Sequence, residues 1–112
     1  KAADTTVVAL QFRQSKHDSV LVDWLQEARQ HASGLIINAS GLTYSSVPIL
    51  DALLMFEGPV IEVHMSNIWK REPFRHHSMV SKAATGVIAG LGATGYELAI
   101  DAVINLLGDP AI

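Results

Sequence analysis

Glu62 and His64 stand two residues apart in PVIEVHM, and two is the repeat that sends strand side chains to one face. A carboxylate beside an imidazole fixes the ring and favours its charged form, which prepares it to release a proton near neutral pH. General acid catalysis is the chemistry this pair suggests, set against the plainer reading of a polar pair at a strand end. The residues that follow, MSNIWKREPFRHHS, bring Lys70, Arg71, Arg75, His76 and His77 onto a chain whose net charge is −3. An arginine can grip a carboxylate at two points, and Arg71 and Arg75 have the spacing of one helical turn, so a small carboxylic acid is a natural guest. Met65, Ser66 and Asn67 open this loop, where successive backbone N–H groups can form an anion-binding nest. The competing reading of Lys70 to His77 is a solvated basic surface.

Other chemistries fit less well. There is no cysteine, so disulfides, thiolate ligands and thiol nucleophiles are excluded, which suits a cytoplasmic setting. His76 and His77 are adjacent and lack a third ligand at useful spacing, a weak pattern for a metal. Gly90-Leu91-Gly92-Ala93-Thr94-Gly95 is a literal GxGxxG, but the dinucleotide fingerprint needs a further strand with an acidic residue about 20 positions on. Close packing of the last helix on the sheet accounts for these glycines better. Nucleic acid is not an expected partner, given the net charge of −3 and 6% aromatic residues. No apolar run approaches the roughly 20 residues of a membrane span, and KAADTT does not open a signal peptide.

The elements that must hold these residues follow from periodicity. At 112 residues and 49% hydrophobic content, the chain is read as one domain over 1–112. Alternation over Thr5 to Gln14 predicts a strand. DSVLVDWLQEARQHA predicts a helix behind an Asp18/Ser19 cap, stopped by Gly34, with Trp24 in the core and Trp69 exposed. LIINA, PVIEVHM and TGVIAG read as strands, the first covered on both faces. Ser46 and Pro48 mark the start of a helix running to about Phe56, and YELAIDAVINLL is a final helix ended by Gly108 and Pro110. Strands alternating with helices imply an α/β fold with a mostly parallel sheet, whose ligands sit beyond the carboxyl ends of the strands. The loops after LIINA and PVIEVHM leave from those ends and should lie side by side.

In order along the chain, QSKHDSVLVDWLQEA, LIINASGLTYSSVPILDAL, PVIEVHMSNIWKREPFRHHS and ATGVIAGLGATGYELA together resemble the type II 3-dehydroquinate dehydratases, small lyases with a flavodoxin-like, three-layer α/β fold. The resemblance covers nearly the whole chain. It implies a dehydration of 3-dehydroquinate to 3-dehydroshikimate through an enolate, without metal or organic cofactor, in the shikimate or quinate pathway. It makes His64 the general acid, Glu62 the group that holds its ring, and Asn38 a residue near the departing hydroxyl. Met65 and Ser66 would hold the substrate carboxylate and Arg75 a ring hydroxyl. Asp51 would reach a neighbouring subunit's site, and Arg71 would support the site and the trimer contacts, within a trimer-based dodecamer.

Some positions depart from the family pattern. Tyr44 stands where a histidine is usual, which bears on recognition of a ring hydroxyl; Leu50 replaces a common arginine, and Ser40 a frequent glycine. Nothing in the sequence matches the family's opening strand, its Asn-Gly-Pro-Asn turn or the lid loop that carries an arginine and the tyrosine base. The expectation is that a few dozen residues carrying these parts, with the first helix, precede Lys1. A non-catalytic relative that binds a shikimate-type acid, and a flavin- or nucleotide-binding module, are the rival readings.

Overall fold

The computed structural model describes residues 13–15 and 17–108. The strand expected over Thr5 to Gln14 lies, but for its last two residues, outside them, as does Pro110. Three parallel strands form the described sheet: β1 (Leu35–Ile37), β2 (Val60–His64) and β3 (Gly86–Ala89), in the order β1-β2-β3. Helices α1 (Asp18–His31) and α2 (Val47–Leu54) pack on one face and α3 (Thr94–Gly108) on the other, giving the three layers expected. Strand β2 is central among these and buried along its whole length, as a parallel strand covered on both sides must be.

Alternation along β2 sorts the core. Val60 lies with Ile37, Leu25, Ile49, Ala52, Leu53 and Val80 on the side of α1 and α2. Ile61 and Val63 turn the other way, against Ala99 of α3 and the partly buried Ile36, Ile88 and Tyr96. Glu62 and His64 therefore share the face of Val60. In register, Glu62 lies beside Ile37 of β1 and Val87 of β3, and His64 beside Ala89.

Local signals set most of the element ends. Ser46 caps α2 by accepting the Ile49 N–H at 3.2 Å, and Pro48 sits in the first turn, where no intrahelical donor is lost. The helix ends at Leu54, just short of the expected Phe56. Helix α1 differs from expectation at its start. Its cap is His17, which makes no side-chain capping bond, while Asp18 lies in the first turn and favours the positive helix end by charge alone. Trp24 is only half-buried, with the Arg13 guanidinium 5.5 Å above its ring, whereas Trp69 is exposed as expected. Strand β1 ends at Ile37, so Asn38 and Ala39 already belong to the loop above the sheet, where a five-residue 3-10 turn (Ser40–Tyr44) leads to α2.

The expected single turn linking Arg71 to Arg75 is not there. Two short 3-10 turns, Ile68–Lys70 and Pro73–His76, take its place, because Pro73 has no N–H to continue a helix and forces Glu72 to be extended.

The glycines of GLGATG act in two ways. Gly95 lets α3 lie close to the sheet, since a Cβ there would stand 3.3 Å from Val63 Cγ1 and 3.4 Å from Ile88 Cγ2. Gly90 has φ +87° and abuts the loop after β2, where a Cβ would stand 3.2 Å from the Asn67 Cβ. Gly90→Ala should destabilise the fold by about 1–3 kcal/mol through the left-handed backbone alone. Thermal unfolding with a midpoint equal to that of the parent protein would refute this account of Gly90.

Candidate active site

His64 is the last residue of β2 and is 4% exposed; Glu62 is 1% exposed. A carboxylate so placed is destabilised unless donors surround it, and it has three. The His64 ring donates from Nε2 to Glu62 Oε2, the Ser78 hydroxyl donates to the same oxygen at 2.9 Å, and the Ser81 hydroxyl donates to Oε1 at 2.5 Å. Burial pushes the Glu62 carboxyl up, while the bonds from His64, Ser81 and Ser78 pull it down and prevail, which holds it below the ordinary carboxylate value. The two serines are mutually fixed, because the Ser81 N–H donates to the Ser78 hydroxyl at 3.0 Å. Sequence reasoning did not assign these hydroxyls. The three-residue spacing of Ser78, just before a 3-10 turn (Val80–Lys82), and Ser81, within it, was the only local signal for them.

Beyond His64 the chain enters the loop Met65, Ser66 and Asn67, all exposed. Gly90 N–H bonds back to the His64 carbonyl at 3.1 Å and Gly92 N–H to that of Met65 at 2.9 Å, which ties the exit of β3 to this loop. The Asn67 side chain accepts the Trp69 N–H at 3.1 Å and so starts the following turn. Tyr44, at the end of the turn after β1, lies parallel to the His64 ring with centroids 6.3 Å apart. Arg75 stands over the Tyr44 ring at 5.6 Å and over Phe74 at 4.8 Å, and its Nε donates to Glu72 at 2.6 Å. The loops after β1 and β2 are thus neighbours, and they bring Tyr44, His64 and Arg75 into one group.

Asn38 approaches from the opposite face of the sheet. Its Nδ2 donates to the Tyr96 hydroxyl at 2.8 Å, and its Oδ1 accepts the Ser40 N–H at 3.1 Å. Asp51 is exposed on α2 and Arg71 is exposed after the turn Ile68–Lys70; neither forms an ion pair among the described residues. His76 packs against Trp69, 4.9 Å between centroids, and no group of three or more His, Cys, Asp or Glu that could hold a metal occurs among the described residues. No helix among them is long and apolar enough to cross a membrane.

A cleft of about 740 Å³ runs beside β3, with Trp69, Arg75, Ser78, Ser81, Val87 and Ala89 in its walls. Neither Glu62, His64 nor Tyr44 is among its walls; the cleft meets the pair only through Ser78 and Ser81, which bond Glu62. The loops after β1 and β2 meet instead above the carboxyl ends of the strands, the region where parallel α/β sheets hold their ligands.

The profile of class II dehydroquinases matches residues 1–104. The chain belongs to that family. Among similar dehydroquinase sequences, the 3-dehydroquinate dehydratase 2 of Agrobacterium fabrum is 58% identical over 95 residues, which is 85% of this chain and 65% of that protein. The 3-dehydroquinate dehydratase of Caulobacter vibrioides is 52% identical over 100 residues, 89% of this chain and 68% of its own. The type II dehydroquinase structure from Propionibacterium acnes superposes with a TM-score of 0.76 at 42% identity, covering 80% of this chain and 65% of that one. That from Butyrivibrio crossotus gives 0.78 at 40%, covering 81% and 64%. The chain therefore spans about two thirds of the length of the dehydroquinases it matches.

Proposed function

We propose that the protein dehydrates 3-dehydroquinate to 3-dehydroshikimate, the hydro-lyase reaction that its relatives' names carry. The observation that supports this most directly is the buried Glu62–His64 pair at the carboxyl end of β2. In the elimination, a base removes the proton next to the ketone, electrons pass through an enolate, and the carbon–oxygen bond to the departing hydroxyl breaks. His64 gives that hydroxyl a proton, so water leaves rather than hydroxide. Glu62, ionised and held at both oxygens, keeps the ring in one orientation and balances its charge when protonated. The base is the role that the family resemblance gives to a lid tyrosine.

Recognition is assigned on the same reading. The amides of Met65 and Ser66, with the Ser66 hydroxyl, hold the substrate carboxylate. Arg75 and Tyr44, stacked beside His64, meet the ring hydroxyls. Tyr44 replaces an imidazole with a phenol in this role, which keeps a polar tip but moves it outward along a longer ring. Asn38 lies near the departing hydroxyl and helps place the water that stabilises the enolate. The exposure of Asp51 and Arg71 suits residues that meet neighbouring subunits in a trimer-based dodecamer. No metal or organic cofactor enters this mechanism, and the setting proposed is the cytoplasm.

The test is direct. The natural full-length protein, given 3-dehydroquinate, should develop the ultraviolet absorbance of a conjugated enone, because the product carries its new double bond next to the carbonyl. Saturable binding of the substrate with no enone formed would replace this reading with that of a non-catalytic binding protein.

A further inference from the structure

We infer that Tyr96 is a positioning residue that orients the Asn38 amide for the reaction, an inference that rests on the proposed role of Asn38 in the site. A side-chain amide carries two donors on nitrogen and an acceptor oxygen, and without partners it can flip between two arrangements of nearly equal shape. Here both ends are held. The Ser40 N–H can only donate, so it requires the oxygen on its side, and it meets Asn38 Oδ1 at 3.1 Å. The nitrogen then faces the Tyr96 hydroxyl, which accepts from Nδ2 at 2.8 Å. One Nδ2 hydrogen remains for a ligand or water, in a direction fixed by the plane of the amide. The Tyr96 oxygen, having accepted, keeps its own hydrogen to donate onward.

Both anchors are built into the fold. Ser40 has φ +51°, a left-handed backbone that a residue with a Cβ enters only at a cost of roughly 1–2 kcal/mol, within a turn that directs its N–H at Asn38. Tyr96 lies in the first turn of α3, one residue after Gly95, where the helix backbone lies close against Val63 and Ile88. Its ring packs on the apolar cluster of Ile61, Val63 and Ala99, so the hydroxyl is delivered from a rigid support. The GLGATGY segment is thereby tied to the reaction through helix placement and one hydrogen bond.

The experiment is a double-mutant cycle on the natural full-length protein with 3-dehydroquinate as substrate, using Tyr96→Phe, Asn38→Ala and the pair. Tyr96→Phe should lower kcat about tenfold, with KM little changed and the unfolding midpoint lowered by no more than the few degrees that one hydrogen bond contributes. Asn38→Ala should lower kcat further, and adding Tyr96→Phe to it should do nothing more, because Tyr96 acts through Asn38. Independent, multiplying losses in the pair would overturn the inference, as would full activity of Tyr96→Phe beside an impaired Asn38→Ala. Wild-type activity of Asn38→Ala would instead remove Asn38 from the reading of the site, and this inference with it. A second readout does not depend on activity. In ¹⁵N-labelled protein the Asn38 side-chain amide resonances should shift on Tyr96→Phe, and unmoved resonances would mean the bond is absent in solution.

Discussion

His64→Ala in the natural full-length protein should lower kcat for 3-dehydroquinate roughly 10²–10⁴-fold, the range that a positioned general acid supplies. KM should change little, because the proton is transferred only as the carbon–oxygen bond breaks and binding of the intact substrate draws on other groups. The same substitution strips one of three donors from the buried Glu62 carboxylate and opens a gap at the end of β2. A loss of stability of about 1–3 kcal/mol should accompany it. The two effects separate by experiment. Thermal unfolding reports the second, and kcat measured well below the unfolding midpoint reports the first. An unchanged kcat with a raised KM would make His64 a binding residue and leave the elimination without its acid.

Parts of this arrangement were legible because their causes are local. The two-residue spacing of Glu62 and His64 placed them on one face of a strand, and Ser46 with Pro48 announced α2 through capping chemistry. Proline chemistry also governs the loop after β2, where Pro73 splits Arg71 from Arg75; the spacing of the two arginines concealed a signal that was present in the sequence. The partners of the polar groups were not legible. Ser78 and Ser81 reach Glu62 across 16 and 19 residues, and Tyr96 reaches Asn38 across 58. No periodicity encodes such pairs. They follow from how a loop crosses one face of the sheet and how closely α3 lies on the other, which depend on packing of the whole domain. The alternation rule nonetheless separates Asn38 from His64, since one residue past Ile37 turns toward α3 while Glu62 and His64 turn toward α1 and α2. The proposed site above the strand ends would thus draw side chains from both faces. The family resemblance supplied the roles, which spacing alone does not specify.

Glu62→Gln should remove the charge while keeping nearly the same shape, and both activity and pH dependence should report it. In the parent protein all three neighbours donate to the carboxylate, from the His64 ring, Ser78 and Ser81. An amide offers one oxygen and one NH₂ group, so at least one donor must turn away or reverse its role, at a cost of about 1–3 kcal/mol in this buried setting. His64 loses the negative charge facing it and can take the other tautomer, so kcat should fall roughly 10–10³-fold, within the reach of acid–base catalysis. The pH signature follows from the direction of the Glu62 shift. Its folded pKa lies below the ordinary 4.5, so the folded state holds fewer protons than the unfolded state as the pH drops through that region. The stabilisation from Glu62 is fully present above pH 4.5 and is lost as the pH falls through the lower, folded value. A glutamine side chain does not titrate, so the stability gap between parent and variant should be widest at neutral pH and should close in acid. Denaturant midpoints measured across that range decide the matter. A gap independent of pH would mean that Glu62 contributes by packing alone, and that the donors around it do not stabilise its charge.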